Sequence, residues 1–307
     1  MRIAVVGAGG VGGFFGARLA AAGYDVTFVA RGAHLAAMQA KGLRVLSQLG
    51  DMHIEKPQLV DSPTKLGTVD LVIVAVKLWD TEQLARDLAP VVARGAAVVS
   101  FQNGVAKDEI LASALPKEAL IGGCSYISAF IEEPGVVRHN GALQRLLFGE
   151  YDGQASARVQ AFLEACQKAG INAEISTDIQ RQIWEKFVFL VGLSGSTTSI
   201  RQRIGAVREN PRSRVFLHDL MREVVAVGRA RGVALDETFA DDRLSFCDTL
   251  PADMTSSMHN DLERGNRLEV AWLSGGVADY GAALGVATPR NRAVADILDI
   301  YAPGKPR

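Results

Sequence analysis

A single lysine, Lys186, lies in an otherwise apolar helical stripe in the second half of the chain. Positions 179, 183, 186 and 190 fall on one face of a predicted helix, and the other three are isoleucine or leucine. Burial disfavours the charged form of a lysine and so weakens its hold on the proton. Such a lysine can act as a general acid toward a carbonyl oxygen near neutral pH. The alternative is a lysine whose charged head extends to the surface.

A second candidate site is the glycine-rich turn near the start of the chain. Ile3, Val5 and Val6 predict a strand, and an alanine-rich helical pattern that ends near Gly23 follows the turn. In the motif G-x-G-x-x-G the first glycine permits a tight turn, the second lets the backbone approach a pyrophosphate, and the third lets the helix pack on the strand. The positive end of the helix would face the phosphates. We predict that a dinucleotide contacts Gly7, Ala8, Gly9, Gly10, Val11 and Gly12.

The end of the second predicted strand indicates which dinucleotide binds. Residues 25–30 are followed by Arg31, whereas an NAD site carries an Asp or Glu there for the ribose 2′-hydroxyl. A guanidinium suits a 2′-phosphate, which it can hold through two hydrogen bonds. The sequence therefore favours NADP, unless Arg31 is an ordinary solvated arginine, and His34 is expected at the surface.

Two polar residues follow buried strands of the same predicted sheet. Lys77 comes at the carboxyl end of the strand 71–76, and Asn103 follows the strand 96–101 within a Gln-Asn-Gly-Val sequence. Ligands of such sheets bind at the carboxyl ends of the strands. Lys77 could contact the dinucleotide and Asn103 could present an amide near the nicotinamide, although Asn-Gly is also a turn signal by itself.

A doubly wound α/β sheet is predicted to position these residues. Residues 69–76 and 96–101 are almost continuously apolar, as in parallel strands that are buried on both faces. The alternation of strands and helices predicts a Rossmann domain over residues 1–177. Its later elements are expected as strands near 120–121 and after 123, at 135–140, 144–148 and 171–175, and as a helix at 155–170.

The rest of the chain, residues 178–307, is predicted to be an all-helical domain. Asn210 before Pro211 and Thr288 before Pro289 both read as an N-cap followed by proline at the first helical position. Further helices are expected at 236–250, 253–264 and 266–285. Within them, Ser257 taken alone reads as a helix cap and Glu269 as a surface charge.

Composition excludes several classes of function. A length of 307 residues predicts about two domains, and a net charge of -1 provides no basic field for nucleic acid. Three widely spaced cysteines indicate reduced thiols and no metal site. No apolar run approaches the roughly 20 residues of a membrane span, so no membrane association is expected. We predict a cytoplasmic enzyme.

Taken together, these motifs resemble the ketopantoate reductase family, the NADP-dependent 2-dehydropantoate 2-reductases of pantothenate and coenzyme A synthesis. The resemblance spans nearly the whole chain. It rests on the glycine turn with Arg31, V-K-L-W-D-T with Lys77, Q-N-G-V with Asn103, W-E-K with Lys186, S-S-M with Ser257, and Glu269. It implies a Rossmann domain followed by a helical domain like that of 6-phosphogluconate dehydrogenase.

The resemblance also implies a role for each residue. A hydride passes from NADPH to the ketone carbon while Lys186 donates a proton to the ketone oxygen, and Glu269 positions Lys186 and the substrate or ribose. Lys77 and Asn103 would lie at the nicotinamide, with Asn103 also at the substrate, and Ser257 would bind the substrate carboxylate. The expected partner is a small-molecule 2-keto acid, and a homodimer is possible.

The chain departs from the family pattern one and two turns after Lys186. The family carries asparagines there that bind the hydroxyl and carboxylate of the substrate, whereas this chain has Leu190 and Ser194. A leucine cannot form hydrogen bonds, which predicts weaker ketopantoate recognition or a more apolar 2-keto acid, with partial compensation by Ser194. A 3-hydroxyacid or 6-phosphogluconate-type dehydrogenase and a non-catalytic NADP sensor remain as alternatives.

Overall fold

The computed structural model describes residues 1–305, which form two compact units. The N-terminal unit contains Met1–Asn103 and Lys107–Gln182, and the C-terminal unit contains Gly104–Ala106 and the residues from Ile183 onward. The division falls inside helix α6 (Ile179–Ile200), whereas the sequence placed the domain boundary after residue 177.

The N-terminal unit is built on one mixed sheet. Its strands follow the order β4-β3-β9-β8-β7-β6-β1-β2-β5, and β10 pairs with β9 beside this path. The strands are β1 (Arg2–Val6), β2 (Asp25–Val29), β3 (Leu43–Ser47), β4 (Met52–Ile54), β5 (Gln58–Val60), β6 (Leu71–Val74), β7 (Ala97–Ser100), β8 (Leu120–Glu133), β9 (Val136–Gly149) and β10 (Asn172–Ile175).

The first part of the sheet has the parallel arrangement that the sequence predicts. From β5 to β8 every neighbouring pair is parallel. Beyond that point the sheet is mixed, because β8 and β9 form a long antiparallel hairpin and β3 pairs with β4 in the same way. The predicted strands at 135–140 and 144–148 are one strand, β9, because β8 pairs with both halves of it.

Helices cover both faces of this sheet. They are α1 (Gly10–Ala21), α2 (Gly32–Lys41), α3 (Thr81–Val92), α4 (Lys107–Ala112) and α5 (Ala157–Lys168), with short 3₁₀ turns at Pro63–Lys65, Leu78–Asp80 and Lys117–Ala119. Successive side chains of β1 point to opposite faces, so Ile3 and Val5 enter one hydrophobic core while Ala4 and Val6 enter the other. The continuous apolar runs therefore reflect burial on both faces.

Helices are the regular elements of the C-terminal unit throughout its described residues, joined by turns and loops. Its helices after α6 are α7 (Ile204–Glu209), α8 (Pro211–Ala230), α9 (Phe239–Thr249), α10 (Ser257–Arg264), α11 (Ser274–Leu284) and α12 (Pro289–Asp299). The expected helix at 266–285 was wrong in its first half, because residues before Ser274 form turns. The expected helices at 236–250 and 253–264 likewise begin three and four residues later than predicted.

Two helices of this unit begin with proline but are capped differently. The Asn210 side chain accepts hydrogen bonds from the backbone N–H groups of Arg212 and Ser213, at 3.0 and 3.2 Å, which confirms the predicted cap of α8. The predicted Thr288 cap of α12 was wrong, because its side chain makes no capping bond. The Glu223 carboxylate on α8 instead accepts from the first N–H groups of α12.

Helix α6 packs closely within the C-terminal unit because it carries glycines. A Cβ atom on Gly192 would lie 2.5 Å from Met221 of α8, and one on Gly195 would lie 3.2 Å from Leu220. Larger residues would force the two helices apart. In residues 1–305 no helix combines the length and the apolar character needed to cross a membrane.

Candidate active site

Four parallel strands of the N-terminal unit end side by side. The aligned residues at these ends are Val29 of β2, Val6 of β1, Val74 of β6 and Ser100 of β7. The glycine turn, Arg31, Lys77 and Asn103 come directly after these strands in the sequence. The structure therefore brings all the dinucleotide residues predicted for this unit to one edge of the sheet, the carboxyl edge at which such sheets bind ligands.

The glycine turn has the backbone geometry that its motif demands. Gly7 has φ +97°, and a Cβ atom there would lie 2.8 Å from the backbone of Ala75 after β6. A Cβ atom on Gly12 would lie 2.1 Å from the Gly7 carbonyl oxygen, so α1 approaches β1 more closely than an alanine would allow. These two glycines are required by the fold of the turn itself.

Gly9 differs from the other two glycines of the motif. A Cβ atom placed on it would meet no protein atom within 4 Å. It is the N-cap residue of α1, and the first turn of that helix carries no acidic residue. The first N–H groups of a helix have no partner inside the helix and attract anions. The residues of the turn therefore fit a bound diphosphate, with open space where a dinucleotide needs it.

Arg31 and His34 lie on the first turn of α2. Arg31 occupies the N-cap position and is exposed, as a contact with a 2′-phosphate requires. His34 was expected at the surface, and this was wrong. The ring is half-buried and hydrogen-bonded at both nitrogens, to the Ala8 carbonyl and to the Gly135 N–H. Burial lowers the pKa of His34, and the bond to the Ala8 carbonyl opposes that shift.

Lys77 and Asn103 are both half-buried, at the ends of neighbouring strands. The Lys77 ammonium lies 5.7 Å from the centre of the Trp79 ring, within the range of a cation–π contact. The sequence did not single out Gln102, which precedes Asn103 in the loop after β7 and reaches across to the loop that carries Lys77. Its side-chain amide donates to the Val76 carbonyl at 3.0 Å and to the Thr81 hydroxyl at 2.7 Å.

Gln102 thus links the loop after β6 to the loop after β7. The residue is 5% exposed, and its side-chain oxygen accepts a 3.0 Å hydrogen bond from the Ser100 hydroxyl. A buried polar network in which each group is satisfied is rigid and costly to break. The signal in the sequence that could have revealed it is a polar residue that directly follows an apolar strand, next to Asn103.

Helix α6 carries three of the residues predicted for substrate chemistry. Ile179 and Ile183 on the predicted face are buried, whereas Lys186 and Leu190 on the same face are half-buried. Ser194 is 1% exposed, and its hydroxyl donates to the Val191 carbonyl of its own helix at 3.5 Å. This face of α6 is therefore partly exposed to solvent at Lys186 and Leu190.

The segment before α10 separates the roles of its two serines. Ser256 is buried and caps α10, because its hydroxyl accepts a hydrogen bond from the His259 N–H at 3.1 Å and contacts the Thr197 hydroxyl. Ser257 is exposed in the first turn of the same helix. It is thus Ser256 that acts as the helix cap, and Ser257 is left on the solvent side, where a ligand could reach it.

Glu269 is 8% exposed and lies in the turn that precedes α11. Its backbone carbonyl accepts hydrogen bonds from Trp272 and Leu273, which holds the turn in place. The alternative that Glu269 is an ordinary surface charge is therefore wrong. A buried carboxylate is rarely retained without a partner or a task.

The cysteines, which could in principle act as nucleophiles or metal ligands, are buried. Cys124, Cys166 and Cys247 are buried and form no disulfide bond among the described residues, and burial raises the pKa of Cys166 and of Cys247 to about 12. Thiols of that pKa are poor nucleophiles at neutral pH. Within residues 1–305 no three His, Cys, Asp or Glu side chains are grouped so that they could hold a metal ion.

Comparison with known families matches nearly the whole chain. Residues 3–153 match the family described as Ketopantoate reductase PanE/ApbA, and residues 178–302 match its C-terminal domain. A 2-dehydropantoate 2-reductase of Archaeoglobus fulgidus is 34% identical over 298 residues, 97% of this chain and 96% of that protein. YkpB of Bacillus subtilis, an uncharacterized oxidoreductase, is 32% identical over 98% of this chain and 99% of its own length.

Solved structures give the same result. The 2-dehydropantoate 2-reductase of Geobacter metallireducens GS-15 is 31% identical, with a TM-score of 0.90 over 98% of this chain and 99% of that one. A D-mandelate dehydrogenase solved with NADH and anilino(oxo)acetate shares the fold, with a TM-score of 0.89 at 21% identity over 98% of both chains. The chain therefore belongs to the ketopantoate reductase family, and it is an oxidoreductase that uses a nicotinamide dinucleotide to act on a CH–OH group.

Proposed function

We propose that the chain reduces a 2-keto acid to a 2-hydroxy acid with NADPH. The proposed substrate is 2-dehydropantoate, which would place the enzyme in pantothenate and coenzyme A synthesis. The observation that carries the proposal is the open space at Gly9, at the carboxyl edge of the sheet. Arg31, Lys77 and Asn103 follow the neighbouring strands at this same edge. Two curated 2-dehydropantoate 2-reductases, 32% and 34% identical to this chain, support the choice of substrate.

The preference for NADP over NAD rests on Arg31. It is exposed at the first turn of α2, and no acidic residue stands at the end of β2 to bind a ribose 2′-hydroxyl. We expect Arg31→Ala to weaken NADPH binding about 10- to 100-fold, because a charge-assisted bidentate contact is lost. NADH affinity should be unchanged, and calorimetric titration of both dinucleotides measures the difference. Equal loss for NADPH and NADH would contradict the assignment.

In the proposed reaction each residue of the chain has one task. Bound NADPH supplies the hydride that reaches the ketone carbon. Lys186 donates its proton to the ketone oxygen as that oxygen gains charge, and Glu269 holds the lysine in position. Lys77 and Asn103 orient the nicotinamide, and Asn103 also contacts the substrate. The Ser257 hydroxyl binds the substrate carboxylate, with the N-terminus of α10 adding a favourable dipole.

The catalytic role of Lys186 is tested by Lys186→Ala, with the exposed Lys117→Ala as a matched control. Removal of a general acid lowers the rate by about 10²- to 10⁴-fold. We expect that loss in kcat with an unchanged Kd for NADPH, because the proposed NADPH contacts of the turn and of Arg31 do not involve this lysine. Unchanged turnover in Lys186→Ala, relative to an active parent, would exclude the general-acid role. A parent that binds NADPH but reduces no keto acid would favour the non-catalytic sensor.

Leu190 supports a second candidate, the reduction of a more apolar 2-keto acid. Leu190 presents a half-buried apolar side chain one turn after Lys186. Ser194 is buried and engaged with the Val191 carbonyl, so its contact with a substrate would require that hydroxyl to turn away from its own helix. A side chain without hydrogen-bonding groups does not reward a substrate hydroxyl.

A matched pair of substrates separates the two candidates. Ketopantoate and 3,3-dimethyl-2-oxobutanoate differ only in the terminal hydroxyl, and kcat/KM for each should be measured with NADPH. Preference for ketopantoate supports the proposed substrate, whereas preference for the analogue supports the apolar candidate. Leu190→Asn should shift the ratio toward ketopantoate by at least about tenfold, because a buried hydrogen bond is gained. If neither acid is reduced, a 3-hydroxyacid substrate becomes the better assignment.

A further inference from the structure

We propose that His34 is a positioning residue of the dinucleotide site. Its ring joins the Ala8 carbonyl of the glycine turn to the Gly135 N–H in the turn between β8 and β9. It thereby holds the first turn of α2, which carries Arg31, in a fixed relation to the turn that cradles the diphosphate. The inference rests on the proposed function, because it assumes that a dinucleotide binds at this turn.

The two hydrogen bonds select one form of the imidazole. The Gly135 N–H can only donate, so Nδ1 of His34 accepts at 3.0 Å and carries no proton. Nε2 then carries the proton and donates to the Ala8 carbonyl at 2.8 Å. The other neutral tautomer and the charged ring would each lose at least one of these bonds. Burial, which lowers the pKa of His34, favours the neutral ring that the geometry requires.

Gly135 is anchored so firmly that it can serve as a reference point. Its φ is +85°, which favours glycine, and a Cβ atom on it would lie 3.1 Å from Ala37 of α2. Its carbonyl accepts a hydrogen bond from the Arg44 N–H at 2.9 Å, so both of its backbone polar groups are used. The β8–β9 turn is therefore seated on α2 and on β3 together.

The start of α1, directly after the glycine turn, packs closely on the same hairpin. A Cβ atom on Gly10 would lie 2.1 Å from the Ala129 carbonyl oxygen of β8, and one on Gly13 would lie 2.8 Å from Val137 of β9. Such contacts resist compression but provide no directional attraction. His34 supplies the directional link, because its bond to Ala8 acts one residue before Gly9.

Loss of this link should appear as weaker dinucleotide binding. The Gly7 and Ala8 N–H groups still donate to the Val29 carbonyl at 3.1 and 3.3 Å, so the glycine turn stays attached to the end of β2. Without His34, however, the first turn of α2 loses its own bonds to the glycine turn and to the β8–β9 turn, and the dinucleotide must then order it when it binds. We expect His34→Leu, which removes both bonds, to raise the Kd and the KM for NADPH about tenfold. The kcat at saturating NADPH should stay within about twofold of wild type, since no proposed role in proton or hydride transfer belongs to His34.

Two conservative variants dissect the bridge. In His34→Asn the amide oxygen stands where Nδ1 was and can still accept from Gly135. In His34→Gln the amide nitrogen stands where Nε2 was and can still donate to Ala8. Both should restore part of the NADPH affinity, and His34→Gln should restore more if the bond to the glycine turn is the important one. Both variants also remain informative if His34→Leu does not fold.

His53 provides the matched control. It is an exposed histidine whose Nε2 also bonds a backbone carbonyl, that of Lys41 at the other end of α2, at 2.8 Å. His53→Leu should leave the Kd for NADPH unchanged. The Kd is measured by quenching of protein fluorescence, with thermal unfolding of each variant to separate folding from binding.

Failure of the proposed cofactor and failure of the proposed role of His34 give different results. If wild type does not bind NADPH, the proposed cofactor is wrong. If wild type binds NADPH and the three folded His34 variants bind it equally well, the positioning role of His34 is wrong. If the variants lose kcat and stability in proportion while the folded protein keeps its Kd, His34 supports the fold alone, which also overturns the proposal.

Discussion

Gly9 and Gly12 lie three residues apart, yet alanine should have opposite effects at the two positions. At Gly12 the added Cβ would lie 2.1 Å from the Gly7 carbonyl oxygen and 3.0 Å from Val5, and neither α1 nor β1 can move without disturbing the core. We expect Gly12→Ala to lower the free energy of unfolding by about 1–3 kcal/mol, the usual range for an overpacked site.

Gly9→Ala should leave folding intact and weaken binding. The added Cβ would meet no protein atom within 4 Å, and the backbone at φ -73° and ψ -156° is extended and open to alanine. Alanine is less favourable than glycine at the N-cap but reduces the freedom of the unfolded chain, so the two effects should leave the variant within about 1 kcal/mol of the wild-type stability. The same methyl group would enter the space of the diphosphate, and a clash of about 1–3 kcal/mol corresponds to a roughly 5- to 150-fold higher Kd.

The assay combines denaturant unfolding with fluorescence titration of NADPH. Gly67→Ala is the matched control, because Gly67 also has no protein atom within 4 Å of its Cβ position and lies away from the turn, in the loop before β6. Gly67→Ala should leave the Kd for NADPH at the wild-type value and the free energy of unfolding at or slightly above it. Wild-type affinity in Gly9→Ala would refute the assignment of this space to a diphosphate, and wild-type stability in Gly12→Ala would refute the close packing of the turn.

Three further predictions concern the stability of the two units. Glu223→Ala should lower the free energy of unfolding by about 1–2 kcal/mol, since Arg290 and Asn291 lose the carboxylate that caps α12, and denaturant unfolding measures it. Gln102→Leu should cost about 1–3 kcal/mol by leaving buried polar groups unpaired, and an unchanged midpoint would contradict this. The pKa of His34 is lowered on folding, so its contribution to stability is complete above the unfolded pKa of about 6.5 and declines as pH falls below that value. The stability difference between wild type and His34→Gln should therefore shrink between pH 7 and 5, and a constant difference would contradict it.

The dinucleotide half of the chain could be predicted in detail because its signals are local. The strand, the glycine turn and the helix at residues 2–21 follow one another in the sequence, and the positions of the three glycines reflect backbone constraints within the same segment. The end of each parallel strand is likewise marked by the end of an apolar run. Lys77 and Asn103 could be placed at one edge of the sheet for that reason.

Predictions that depended on distant contacts failed. The strand β8 pairs with β9 on both sides of Gly141, with a register shift between the two paired stretches, and no local pattern around Gly141 indicated that one strand continues through it. The cap of α12 comes from Glu223, more than 60 residues earlier in the chain, so the Thr288-Pro289 pattern was misleading. Helical periodicity also extended α11 backward over Glu269, where a turn forms instead. The Leu268 N–H beside it is held by the distant Ala302 carbonyl, at 3.0 Å.

The sequence alone determined the fold class, the dinucleotide turn and the family, because these depend on residue types at short spacings. Only the tertiary structure decided which glycine faces open space, that Ser256 and not Ser257 caps α10, and that His34 bridges two turns. Each of those facts depends on atoms separated by tens of residues or more along the chain, or on the direction in which a side chain points. Hydrophobic spacing carries neither kind of information, since it reports burial and not the identity of the neighbour.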